Sequence, residues 1–250
     1  AVVDSTENGS IWASSAHGPT EEGGRGIFMA APGKAIISAK GDGVKDSYND
    51  ESRVLSGTSM ATPMASSYGA VLQQIIEKEY NVSPSGSLLR ALMAISTDAI
   101  TNDTPDSIQG FGRPNLSSVV DITNGNISVW THDSFQQDDW LSWYSQRGGS
   151  IENMVGKPWN GEGGVGPFLK EGENVSWEFI VAEGMDLEAV ISYNAKPHPL
   201  PVDDVKIIVD IGEDRFVVGG DLDQDGYSKI YNSLSLSRPL ALSRALSLAV

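Results

Sequence analysis

Apolar positions follow two rhythms along this chain, and the change falls near residue 121. Before it, Val2-Val3, residues 35–39 and Val54-Leu55 are short apolar runs that predict short strands, set apart by polar or glycine-containing turns, and the apolar run 27–31 leads to the Pro32-Gly33 turn. From Met60 to Tyr80 the spacing turns helical. Ala61, Ala65 and Gly69 form a small-residue face, and Tyr68, Val71, Leu72, Ile75 and Ile76 form an apolar one. Pro63 fits this helix if it stands in the first turn, which puts the helix start beside Ser59. Ser83-Pro84-Ser85-Gly86 is punctuation. Leu88, Leu89, Ala91, Leu92, Met93 and Ile95 then predict a second amphipathic helix, and residues 115–120 a last short one.

From Ile122 onward helical spacing vanishes and alternating runs take over. Residues 175–181, 187–193, 205–209 and 215–218 read as strands spaced by turns, a pattern that fits an antiparallel β-sandwich. The Leu/Ser/Arg repeat of 233–250 completes no visible strand of that sandwich and reads as an irregular tail, with a weak amphipathic helix as the alternative. The resulting division is an α/β region over 1–121, an all-β sandwich over 122–232 and the tail.

Charge and composition narrow the partners. A net charge of −16 argues against nucleic acid and anionic membrane surfaces. The chain has no cysteine, so disulfides and thiolate sites are excluded. The charge-free run 54–76 is long enough to cross a bilayer, but its Ser, Thr, Gln and Pro residues argue against a membrane span.

Candidate chemistry gathers at Gly57-Thr58-Ser59-Met60-Ala61-Thr62-Pro63. Gly57 permits a sharp turn, and the helix that follows offers free backbone N–H groups and the positive end of its dipole beside Ser59. The residues alone leave two roles open for Thr58 or Ser59. Either caps a core helix, as both residue types commonly do, or Ser59 is a nucleophile, with the backbone at Gly57, Thr58 and Ser59 supporting an oxyanion.

The string at 57–63 resembles the serine motif of the subtilisin-like serine proteases, or subtilases. Residues 12–20, Trp-Ala-Ser-Ser-Ala-His-Gly-Pro-Thr, are similar to that family's Phe-Ser-Ser-Arg-Gly-Pro-Thr segment. Ala31-Pro32-Gly33 with Ile36-Ile37-Ser38 resembles its Ala-Pro-Gly loop and next strand, and Gly110-Phe111-Gly112-Arg113 resembles its closing Gly-aromatic-Gly-Arg turn. The four landmarks stand in family order within about the first 120 residues.

The resemblance implies the C-terminal part of a parallel-sheet α/β catalytic domain over 1–121, followed by a jelly-roll-like β-sandwich. It implies a serine-type endopeptidase in which Ser59 attacks the peptide carbonyl while a histidine and an aspartate act as base and orienting group. The family's Asp, His and oxyanion Asn motifs are expected upstream of Ala1. The chain alone is then expected to be inactive, its partners being protein or peptide substrates and the N-terminal half of the catalytic domain. His17 takes the place of the family pattern's arginine and precedes a glycine-rich stretch that will not hold a helix, so it reads as a surface substitution and not the base. The implied setting is extracellular or cell-surface.

Other readings stay beside this one. Residues 57–61 approach the Gly-x-Ser-x-Gly elbow of α/β-hydrolases, but the charged run at 49–53 suits only a short strand and the other landmarks would be unexplained. A non-catalytic binding module or degenerate subtilase remnant is the competing class. No cofactor is required for the chemistry. Asp221, Asp223 and Asp225, followed by Gly226, start like a calcium loop, but Asn232 stands where the bidentate glutamate belongs, and an acidic turn is the alternative. Trp130, Trp140, Trp143 and Trp159 could line a ligand groove, although packing is the commoner role. Sequons at Asn81, Asn115, Asn126 and Asn174 matter only if the host glycosylates.

Overall fold

The computed structural model describes residues 1–4, 9–21, 25–81, 83–101, 105–118, 131, 174–179, 189–193, 206–211, 214–219, 229–231 and 244–249. Its first strand, β1 (Val2–Asp4), is buried along its whole length. It pairs antiparallel with β2 (Ser10–Ile11) and parallel with β3 (Ala31–Pro32), with Val2 opposite Ala31 and Val3 opposite Pro32. β4 (Ile36–Ala39) and β5 (Ser52–Leu55) form a separate antiparallel hairpin. That hairpin leads straight into α1 (Thr58–Tyr80). α2 (Gly86–Ile95) follows, and β6 (Thr97–Asp98) pairs antiparallel with β7 (Arg113–Pro114).

One stripe of α1 makes the core. Ala61, Tyr68, Gly69, Leu72 and Ile76 are its buried residues, spaced to lie on a single helical face. At the N-terminal end Ala61 packs with Val2 and Ala31, and Trp12 and Ala65 lie against them. Further along, Tyr68 and Leu72 meet Leu89 and Met93, and Ile76 meets Leu88 and Leu92. The helix therefore joins the small sheet at one end to α2 at the other. Burying Leu72 and Ile76 contributes about 1.5–3 kcal/mol each. A side chain at Gly69 would bring its Cβ to 3.1 Å from the Met93 sulfur, so the small residue permits the close approach of α2. Val71, expected on the apolar face, is instead 40% exposed. The stripe runs through the small residues and Tyr68, and so turns Val71 outward.

Polar anchors fix the ends. Asn81 takes a left-handed conformation where α1 stops. The Tyr68 hydroxyl donates to the Ser96 carbonyl at 2.8 Å, tying α1 to the exit of α2, and burial pushes its pKa up. The Gly-Phe-Gly-Arg turn threads a narrow passage. Phe111 N–H donates to the Phe28 carbonyl at 2.8 Å, and the two rings meet edge to face at 5.9 Å. Gly110 has φ +64°, and a Cβ there would stand 2.1 Å from the Phe28 oxygen. No other residue fits. Gln109 is fully buried beneath this turn, and its side-chain oxygen accepts from the Ile100 and Thr101 N–H groups at 2.6 and 3.1 Å.

The described C-terminal strands are antiparallel wherever they pair. β8 (Asn174–Phe179), β10 (Lys206–Ile211), β11 (Asp214–Gly219) and β13 (Arg244–Ala249) form a sheet in the order β11-β10-β13-β8. β9 (Ile191–Tyr193) pairs with β12 (Lys229–Tyr231). β13 corrects one expectation. Residues 244–249 fall in the stretch read as an irregular tail or weak helix, yet they form a strand between β10 and β8. Leu246 and Leu248 flank Ser247 with the period of a strand, and the Leu/Ser/Arg repetition around them obscured that.

Candidate active site

Ser59 reaches its position through a backbone turn that only glycine adopts comfortably. Gly57 sits at φ 153°, ψ 172° and is the N-cap residue of α1. No side chain caps this helix start. Neither Thr58 nor Ser59 fills the capping role that the sequence left open, because both are already helical residues. Ser59 is exposed, and no described hydrogen bond uses its hydroxyl. Among the described residues, the first free N–H groups of α1 have no side-chain acceptor, so they keep the partial positive charge of a helix N-terminus.

The helix start differs from expectation at Pro63, which lies beyond the first turn. Having no N–H, it cannot donate to the Ser59 carbonyl, the usual bond four residues back. The Thr62 hydroxyl donates to the Thr58 carbonyl at 2.9 Å, one residue before the carbonyl that Pro63 leaves without its backbone donor. The Ser59 carbonyl of α1 thus lacks its usual backbone donor, while Ala61 beside it packs into the core.

The Ala-Pro-Gly loop holds the turn from behind. Gly57 N–H donates to the Gly33 carbonyl at 2.8 Å, and Gly33 N–H donates to the Val3 carbonyl at 3.3 Å. A Cβ on Gly33 would stand 2.7 Å from the Gly57 oxygen and 3.0 Å from both Ala61 Cβ and Val2 Cγ1. Ala35 N–H donates to the Ser56 hydroxyl at 2.9 Å. Lys34, between these two contacts, forms an ion pair with Asp4 at the end of β1. Sequence reasoning missed Asp4 and Lys34. The signal for them was slight: an acid closing an apolar run, and a lysine directly after Ala-Pro-Gly.

Ser59's neighbours border two depressions. Thr58 lines an apolar groove of about 660 Å³ that runs along Ala61, Ala65 and Gly69 opposite Phe28 and Met29. Met60 lines a smaller one of about 190 Å³ against the β4–β5 hairpin, with Ile36, Lys40, Arg53 and Leu55.

His17 stands exposed on a loop, and no helix starts at it. It makes no described bond to Ser59, in keeping with its reading as a surface substitution. Asp221, Asp223 and Asp225 lie outside the described residues, as do His132, His198 and the tryptophans at 130, 140, 143 and 159. Among the described residues no group of three or more His, Asp or Glu could hold a metal ion, and no helix is long and apolar enough to cross a membrane.

Comparison with known proteins meets this geometry at the same residues. Residues 1–112 match the model of the subtilase family, Peptidase_S8. The matched segment runs from β1 through Ser59 to the Gly-Phe-Gly turn, and the match implies an α/β fold, consistent with the helices and small sheets found there. The chain is 29% identical over 203 residues to the Serine protease/ABC transporter B family protein tagD of Dictyostelium discoideum, covering 72% of this chain and 10% of that protein. It is also 29% identical over 178 residues to tagB and 28% identical over 132 residues to tagA, of the same description and organism, covering 64% and 44% of this chain and 9% and 8% of those proteins. The chain therefore spans about a tenth or less of the length of these curated relatives.

Proposed function

We propose that this chain carries the nucleophile of a serine-type endopeptidase, Ser59. The observation that carries the reading is the exposed, uncapped serine at the start of a core helix, inside a Gly-Thr-Ser-Met-Ala-Thr-Pro motif and inside the segment that matches the subtilase family. The relatives' descriptions as serine proteases support it.

In the reaction, Ser59 Oγ attacks the scissile carbonyl carbon while its proton passes to a histidine. The tetrahedral intermediate then collapses to an acyl-enzyme as the amine leaves with that proton, and water completes the hydrolysis. The Ser59 backbone N–H is the oxyanion donor supplied by this chain, because it belongs to the free first turn of α1 and its dipole favours negative charge. An aspartate orients the histidine. In this reading both groups, with the amide donor that completes the oxyanion hole, lie outside the described residues. The remainder of the catalytic domain covers the apolar groove beside Thr58. The C-terminal strands belong to an accessory β-sandwich, the protein acts outside the cell or at its surface, and any calcium at Asp221, Asp223 and Asp225 is structural.

The test is covalent. A fluorophosphonate probe should modify the full natural polypeptide at Ser59, and Ser59→Ala should abolish both labelling and peptide hydrolysis. Hydrolysis that survives Ser59→Ala would sink the proposal.

A further inference from the structure

We propose that the Asp4–Lys34 ion pair is a positioning device for Ser59, an inference that rests on the nucleophile reading above. Asp4 is only 1% exposed and Lys34 28%, so the pair is partly removed from water. A carboxylate kept at such a depth needs its cation close by. Its place in the fold gives it a task. Lys34 stands between Gly33, whose carbonyl accepts the Gly57 N–H, and Ala35, whose N–H donates to the Ser56 hydroxyl. These contacts grip the two residues that lead into the serine turn. Ala35 is also held at φ +56°, a left-handed conformation that a side chain disfavours. Such a conformation persists only where its surroundings impose it. The ion pair supplies that constraint by fastening the connector to β1, the strand whose Val3 carbonyl already receives Gly33 N–H. Without the cation, residues 33–35 can relax. Gly57 moves with them, and the Ser59 hydroxyl loses its aim. Lys34 and Asp4 touch no reacting atom in this account.

The experiment uses the full natural polypeptide and follows the rate of fluorophosphonate labelling at Ser59 together with the thermal midpoint. Lys34→Met should label about 10–100-fold more slowly at temperatures where it is folded, since a misplacement near 1 Å costs a rate of that order. Lys34→Arg keeps the charge and should label within about threefold of wild type. Should Lys34→Met not fold, Asp4→Asn/Lys34→Met removes both charges together and should show the same slow labelling. Ile76→Val is the control: it weakens the distant core and should lower the midpoint without slowing labelling. Wild-type labelling rates in the folded Lys34→Met or double variant would overturn the inference. Slowing that Ile76→Val reproduces at an equal loss of midpoint would overturn it too. A wild-type protein that never labels at Ser59 defeats the nucleophile reading itself and the inference with it, an outcome distinct from the other two.

Discussion

Two helices in this chain begin beside a serine, and the two serines do opposite things. Ser85 is the N-cap of α2. Its backbone is extended, and its side chain accepts from Leu88 N–H at 3.2 Å. Ser59 stands one residue inside the start of α1, after a glycine cap, and its hydroxyl is left exposed. Residue type and helix proximity are the same in both. The difference is a shift in register set by the Gly57 turn. A serine at the cap position satisfies the helix. A serine just inside it leaves the first N–H groups free and presents its own hydroxyl beside them, the arrangement an acyl-transfer nucleophile needs.

Replacing each serine in turn sharpens this contrast most strongly. Ser59→Ala should lower peptide hydrolysis by the full natural polypeptide by on the order of 10⁶ in kcat, while its unfolding free energy stays within about 0.5 kcal/mol. Steady-state kinetics and chemical denaturation measure the two effects separately. Next in size, Leu72→Ala should cost about 2–5 kcal/mol in denaturant unfolding by emptying the contact between α1 and α2. Labelling of the folded fraction should persist, because the cavity lies far along the helix from Ser59.

Gly57→Ala strikes the turn itself. It should cost about 1–3 kcal/mol, since φ 153° suits glycine alone, and unlike Leu72→Ala it should also slow phosphonate labelling. Ser85→Ala should cost about 1 kcal/mol from the lost cap with no change in labelling rate. If Ser85→Ala impaired labelling as much as Gly57→Ala, the two helix starts would not differ as described.

The smallest effect concerns acid. Burial raises the Asp106 pKa, but hydrogen bonds from the Gln109 and Ile108 backbone N–H groups and from the side chains of Gln109 and Thr101 outweigh it, so the net shift is downward. A carboxylate with a lowered folded pKa contributes stability above its unfolded value and loses it as pH falls through the folded one. Asp106→Asn should therefore flatten the acid limb of the stability curve below the ordinary carboxylate range while changing nothing at Ser59. Denaturant melts at a series of pH values would show it.

Much of this architecture was legible in the residues because local pattern decided it. The apolar pairs at Val2-Val3 and Val54-Leu55 and the helical spacing after Met60 all found their elements. The glycines of the Ala-Pro-Gly and Gly-Phe-Gly segments were visible as landmarks, but their reason was not. Only the fold shows Gly33 pressed against the Gly57 oxygen and Gly110 against Phe28. Residue type alone left Ser59 open as cap or free hydroxyl, because a one-residue shift in helix start changes no residue type; only the resemblance of the 57–63 string pointed to the nucleophile. Pro63 misled in the same way, since a proline near a helix start does not say which turn it occupies. The Asp4–Lys34 pair joins residues 30 positions apart, and the Gln109 side chain bonds to backbone eight and nine positions away within one loop; no periodicity announces either contact. The Leu/Ser/Arg stretch misled through its composition, because repetition suggested an irregular tail where a strand formed.

The proposed role of Ser59 is that of a reactive nucleophile and not a structural serine. Its most direct test is to treat the full natural polypeptide with a fluorophosphonate and locate the adduct by peptide mass mapping. A single adduct is expected on Ser59, lost on heat unfolding before treatment and absent from Ser59→Ala. An unmodified Ser59 in a folded protein that hydrolyses peptides, or an adduct on another residue, would contradict it.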